Sequence, residues 1–275
     1  QPQNMEARSG SWVANEAAAP IHLERYHLAA FFGFAAAYGV IDKAVAEPLS
    51  TPFQAFEALP PFEKAQWLSR VVSQVHVFVA LCLATHALVA VDCFWCVESV
   101  VYLRSRPIEL ALANTGGFLF YDLLDMLKNR ATHGRLDGGP LILAHHVFGF
   151  VGYFLSWSYA RCGFIYCVYV LTEVSTPFLN NVFFCEKLGW QRCRTANGAA
   201  LFLSYIPSRI LLSPVTAAAI YTWWPDFAKQ PRVLLAYLLG MLGLATVMNY
   251  YWWYKIGVGC LKGLGVLPSS SKAKK

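Results

Sequence analysis

Charge is scarce in this chain. Of its 275 residues 14% are charged and 57% are hydrophobic, whereas a soluble domain carries about 25% charged and about 45–50% apolar residues. That balance excludes an ordinary soluble fold. Ten-residue stretches of alternating polarity are missing as well, which excludes a transmembrane β-barrel. There is no Asn-x-Ser/Thr sequon, no glycine-rich phosphate loop and no His-Glu-x-x-His helix, so three common motif chemistries fall away. Cys93-Phe94-Trp95-Cys96 is the only CxxC. One such pair is too few for tetrahedral zinc, and Val97 rather than His follows it, which excludes a haem-attachment motif. The other cysteines are scattered and read as packed or lipid-facing thiols. No metal and no cofactor is expected. Basic and aromatic residues do not interleave as in nucleic-acid grooves. The net charge of +6 therefore points to anionic headgroups, not to nucleic acid.

What the chain does have is apolar length. A helix needs about 20 apolar residues to cross the hydrocarbon. Spans are expected near Tyr26–Val45, Val75–Val91, Leu110–Leu127, Leu141–Trp157, Gly163–Phe184, Ala199–Trp223 and Val233–Tyr254. The sequence thus predicts an all-α, polytopic transmembrane bundle of about seven spans, within six to eight. The first is the shortest, because Arg25 and Asp42–Lys43 bound it. Trp67, Trp157, Trp190, Trp224 and Tyr250 to Tyr254 collect near span ends, where amphipathic rings settle at headgroup level.

The loops after spans one, three and five and the C-terminal tail hold fourteen lysines and arginines, against seven on the other side. This predicts a C-terminus on the cytosolic or matrix side. Residues 1–25 read as a polar extension, 26–262 as the bundle and 263–275 as a basic tail. The chain opens on Gln1 rather than Met, as a processed or trimmed protein would. Segment 46–66 alternates prolines with Phe53, Phe56 and Phe62, a composition suited to an interfacial loop or short helix lying on the headgroups.

Polar residues inside the spans carry the functional signal. An unpaired charge at a helix centre costs about 2.5–3.5 kcal/mol, so each needs a partner or a wet cavity. Asp122 and Asp125 share a face of the third span. His145 and His146 lie a turn inside the fourth. Glu173, Thr176 and Asn180 form one stripe of the fifth, where Pro177 is expected to free the carbonyl of Glu173. Arg209 follows Pro207 in the sixth, and Asn249 sits in the seventh. Five consecutive spans contributing polar groups predict a shared inward-facing chamber, with Arg209 paired to Glu173 or Asp122. Each group also has a structural reading: helix-end bonds for the histidines and aspartates, an ion pair for Glu173, an interhelical hydrogen bond for Asn249.

The string "FLFYDLLDML", "ILAHHVFGF", "TEVSTPFLNN", "YIPSRILL" and "MNYYWWYKI" resembles the TLC-domain family, which includes translocon-associated TRAM proteins, ceramide synthases and lipid-homeostasis proteins. The resemblance covers roughly Phe53 to Lys262 and is closest to the small TLC-domain-containing proteins. It implies a bundle around a lipid-accessible tunnel, usually in the endoplasmic reticulum, with the mitochondrial inner membrane or another organelle as the alternative. It adds Tyr121, beside Asp122, to the cavity residues. It also implies a sphingolipid or phospholipid as the bound partner. Ceramide synthases follow the paired histidines with a histidine-aspartate pair that this chain lacks, and Glu173 stands roughly in its place. Three functions stay open. The first is a non-catalytic lipid-binding or lipid-homeostasis protein. The second is an accessory subunit of an organellar complex, such as a respiratory assembly, bound to other subunits. The third is an acyl-CoA-dependent N-acyltransferase using His145 or His146 as base.

Overall fold

The computed structural model describes residues 25–268. The extension 1–25, apart from Arg25, and the tail beyond 268 lie outside the described residues. Among those described, every regular element is helical. Seven long segments follow one another: α1 (Arg25–Ser50), α2 (Pro61–Val89), α3 (Arg106–His133), α4 (Gly139–Tyr159), α5 (163–187), α6 (Gln191–Thr222) and α7 (Arg232–Gly263). They coincide with the seven expected spans and extend most of them at their ends. Five of the seven, α1, α2, α4, α6 and α7, are long and apolar enough to cross a membrane. The other two, α3 and α5, are more polar or interrupted, and they carry Asp122, Asp125, Glu173, Asn180 and Asn181.

Local chemistry sets the boundaries. α2 follows Pro60, and Pro61 is its first residue, where a missing N–H costs nothing. At the start of α3, the Ser105 hydroxyl accepts the N–H of Ile108 at 3.5 Å, and Gly134 ends the helix in the left-handed region at φ 68°, the usual termination by glycine. α5 and α6 are each interrupted once. In α5 the stretch Leu171–Ser175 tightens to a 3-10 turn ahead of Pro177. In α6 the stretch Ile206–Ile210, containing Pro207, widens to a π turn closed by Leu211 N–H to Ile206 C=O at 3.0 Å. Such interruptions commonly mark functional positions. The 3-10 turn corrects one expectation. The carbonyl of Glu173 is not released by Pro177, because the Thr176 N–H bonds to it.

The helices approach closely through small residues. Ala80, Ala84 and Ala87 of α2, Ala111 of α3 and Cys167 of α5 are all buried in one core with Phe164, Leu234 and Leu238, the usual device where burial of apolar surface cannot drive association. Gly117 is the tightest case. A Cβ there would stand 2.8 Å from the backbone carbonyl oxygen of Phe31, so α1 and α3 touch through backbone. Gly117→Ala should therefore cost about 1–3 kcal/mol, the usual penalty of overpacking. Gly33→Ala, which meets nothing within 4 Å, should leave the midpoint unchanged or raise it. Thermal unfolding of both variants in detergent checks the contrast.

The bundle has two polar ends. At one, Arg70 holds Asp137 at 2.8 Å and Lys187 holds Glu63 at 2.5 Å, linking α2 to the α3–α4 loop and to the end of α5. At the other, the Tyr26 hydroxyl donates to Glu109, which also takes Arg104 at 2.5 Å. There too the Tyr102 hydroxyl donates to Asp226 at 2.9 Å, and with Lys229 it holds that carboxyl below its ordinary range. Within the proline-rich segment, Gln54–Glu57 form a short helix. Phe56, Phe62 and Trp67 are buried, and Trp67 packs on Phe56 and Phe184. Only Phe53 of the three expected phenylalanines stays exposed.

Candidate functional site

Helical periodicity builds one cavity of about 100 Å³ inside the bundle. α4 lines it with His145, Gly149 and Tyr153, spaced by four. α5 contributes Tyr166, Tyr169 and Glu173, spaced by three and four. α6 adds Arg209 and Thr216, seven apart. α7 presents Leu238, Met241, Leu242, Ala245, Met248 and Asn249, one continuous stripe. α2 and α3 close the side with His76, Thr115, Phe118 and Leu119. Neighbours at these spacings share a helix face, so the sequence pattern alone turns each set inward once the bundle forms. The Tyr237 hydroxyl donates to the carbonyl of Phe148 and ties α7 to α4 beside the cavity.

The α7 wall is apolar from Leu238 to Met248 and polar at Asn249, while α3 to α6 carry charge and hydroxyls. Arg209 is buried. Its Nε donates to the Ser175 hydroxyl at 3.0 Å, and its guanidinium lies 5.2 Å from the centre of the Tyr205 ring. The expected ion pair is not formed. Among the described residues, Arg209 has no carboxylate within 4 Å, and Glu173 on the same cavity has neither an ion pair nor a side-chain hydrogen bond. The reason is the 3-10 turn, which gives Ser175 rather than Glu173 to the guanidinium. Both charges therefore remain available to a ligand. The buried hydroxyls of Thr115 and Tyr166, also on the lining, have no hydrogen-bond partner among the described residues. Buried polar groups are normally satisfied, so these too mark a place where a polar ligand or water fits. Asn249 is partly satisfied, since its side-chain oxygen accepts the Tyr205 hydroxyl at 3.3 Å.

The other residues singled out from sequence fall around this cavity. His146 turns away from it and sets Nδ1 2.8 Å from the Asp122 carboxylate, which also accepts the Ser69 hydroxyl at 3.3 Å. His145 and His146 diverge, with ring planes 73° apart, so only His145 faces the lining. Asp122 thus takes His146, not Arg209. Asp125 accepts Asn129 at 2.8 Å and lies 3.9 Å from Lys128, the helix-end arrangement that its spacing allowed. Tyr121 packs on Tyr38 and Phe118. Thr176 is off the lining. Asn180 donates to Ser73 and Gln74 of α2, and Asn181 joins Gln74 to Asn197 of α6. These amides hold three helices together rather than facing the cavity.

Several lining groups were not anticipated. His76 stacks on Phe118 at 3.8 Å, and its Nδ1 lies 3.1 Å from the Tyr38 oxygen, whose O–H donates to Asn114 at 2.7 Å. The stripe Ser69, Ser73, His76, with spacings of four and three, was its available signal. Tyr153, Tyr166 and Tyr169 are surrounded by apolar residues in sequence, and nothing local sets them apart. Among the described residues, no three His, Cys, Asp or Glu side chains gather as a metal site.

Fold and site together define a helical membrane protein whose bundle encloses an apolar-walled pocket with charged and hydroxyl side chains along one side. Residues 66–257 match the TLC domain, and the chain belongs to that family. It is 29% identical over 225 residues to TLC domain-containing protein 4-B of Danio rerio, covering 79% of this chain and 83% of that one. It is 24% identical over 220 residues to TLC domain-containing protein 4 of Homo sapiens, covering 75% and 78%. It is also 24% identical over 207 residues to TLC domain-containing protein 4 C of Dictyostelium discoideum, covering 72% of each. No solved structure matches the chain.

Proposed function

We propose that this is a lipid-binding protein of membrane lipid homeostasis, holding one sphingolipid or phospholipid in the cavity without changing it. The supporting observation is an apolar stripe on α7, Leu238 to Met248, lining the same cavity as two opposite charges, Arg209 and Glu173, that form no ion pair with each other. A lipid offers the matching chemistry. Its acyl chain lies along Leu238, Leu242 and Ala245, and its headgroup supplies an anionic oxygen to Arg209 and an amine or hydroxyl to Glu173. Ligand pockets of this kind are mostly apolar with a few placed polar groups. The endoplasmic reticulum is the membrane that the resemblance suggests, with the C-terminus on the cytosolic side.

A second reading has one observation in its favour. His145 faces the cavity, where an acyl transfer would need its base, and beside it His146 lies 2.8 Å from the Asp122 carboxylate. One experiment separates the two. The protein is purified gently, its bound lipid is read by native mass spectrometry, and acyl-CoA with a sphingoid base is then added. The lipid-binding reading expects a stoichiometric lipid released intact and no N-acyl product. Turnover to an amide that disappears in His145→Ala, the histidine on the lining, would replace it with the enzymatic reading. Absence of any bound lipid would contradict it.

A further inference from the structure

The CxxC left unexplained by the sequence lies outside the membrane helices. Cys93 to Cys96 form a turn between the end of α2 and the short helical stretch Glu98–Tyr102. They stand at the first and fourth positions of that turn, with Phe94 and Trp95 between. Ends of a four-residue turn lie within about 7 Å, inside the Cα range over which a disulfide closes. Two anchors hold the turn in this shape. The Ser99 hydroxyl donates to the Cys93 carbonyl at 2.5 Å, and the Val100 N–H donates to the Cys96 carbonyl at 2.9 Å. The Cys96 thiol folds back over the turn, 3.6 Å from the Cys93 carbonyl oxygen. Cys93 is exposed and Cys96 partly buried, and both are free thiols.

We propose that Cys93 and Cys96 are a redox-active dithiol that exchanges with disulfides of the glutathione or protein class at the bundle end carrying Tyr102 and Asp226. The exposed Cys93 loses its proton and attacks the foreign disulfide. A Cys93–sulfur bond forms, and one thiolate of the partner leaves. The Cys96 thiolate then attacks Cys93, forming the Cys93–Cys96 bond and releasing the second thiolate. The protein gives up two electrons and two protons, and the partner disulfide is reduced to two thiols. The exposure difference assigns the order, since attack requires access.

Ring size argues for exchange over a permanent staple. The bond closes a loop of four residues, and stabilisation by cross-linking grows with loop length. Exposed disulfides are the labile ones. The turn is joined to the bundle by rings: Phe94 and Trp95 pack on Phe164 of α5 at 5.3 and 6.1 Å, and Trp95 on Trp223 at 5.9 Å. Phe164 adjoins the cavity-lining Ile165. A hydrogen bond with Cys96 holds the Cys93 thiol above its ordinary value, so exchange should quicken as the pH rises above neutral. The inference stands on the turn alone and is independent of what the cavity binds.

The test uses the full chain in nanodiscs, equilibrated in oxidised and reduced glutathione at pH 8.5, trapped with N-ethylmaleimide and mapped by peptide mass. The expected result is joint loss of both labels in one transition, with the 93–96 peptide two hydrogens lighter. Cys93→Ser and Cys96→Ser should each lose that internal bond and carry at most one glutathione. If both thiols of the native chain still alkylate in oxidised glutathione, or if they yield only separate adducts or interchain dimers, the proposal is overturned.

Discussion

Arg209→Met should strip the bound lipid from the protein while leaving the bundle folded. Among the described residues the guanidinium is the one Lys or Arg charge on the cavity lining, and its side-chain partners are the Ser175 hydroxyl and the Tyr205 ring. A hydrogen bond to a charged group contributes about 1.5–3 kcal/mol, and 1.4 kcal/mol is tenfold in affinity. Retention of lipid should thus fall by about 10- to 100-fold, read by native mass spectrometry against a detergent titration. Arg209→Lys keeps the charge without the planar fork and should fall between. Stability should change little, because a buried cation without a carboxylate partner is itself costly. Had Arg209 been paired to Glu173, the single substitution would have stranded a buried carboxylate, and Glu173→Leu would have rescued it. Here Glu173→Leu should rescue nothing. A double variant more stable than Arg209→Met by several degrees would show that the pair exists after all.

The opposite behaviour is expected at the true intramembrane pair. Among the described residues, His146→Leu leaves the buried Asp122 carboxylate with the Ser69 hydroxyl at 3.3 Å as its one remaining side-chain partner. Breaking a buried pair from one side costs about 3–5 kcal/mol, whereas replacing both partners by apolar groups is often close to neutral. His146→Leu alone should unfold far more readily in a thermal or denaturant series, and Asp122→Leu with His146→Leu should recover most of the loss. Additive losses in that cycle would mean that the 2.8 Å contact carries no coupling.

The comparison of these two sites shows what a sequence can reveal and where it stops. Apolar length gave the helical segments, and the positions of α1 to α7 follow the expected spans because hydrocarbon thickness leaves few choices. Polar residues inside the spans pointed to Glu173, His145, Arg209 and Asn249, which do line one cavity. Partner choice was not legible. Asp122 could equally have met Arg209 or a histidine, and only the rotation of α4 against α3 brings His146 to it. The 3-10 turn at Leu171–Ser175 shifts the helical phase before Thr176, which takes Asn180 out of the stripe that an ideal helix would share with Glu173. That turn follows from Pro177 and tertiary packing together, and the packing half is invisible in a single chain. Tyr121 enters through the family resemblance and Thr176 through its place between Glu173 and Asn180, while the cavity tyrosines are hidden among apolar sequence neighbours.

The central claim is that a lipid occupies the space between Arg209, Glu173 and the α7 stripe. The most direct measurement is photolabelling in nanodiscs with a lipid carrying a diazirine on its acyl chain, followed by peptide mapping. Label should concentrate on Leu238, Met241, Leu242 and Ala245 of α7 and on Gly149 of α4, and that label should be lost in Arg209→Met. Label spread over outward-facing residues such as Val233, Val247 and Tyr251, which are exposed, with no change in Arg209→Met, would contradict it.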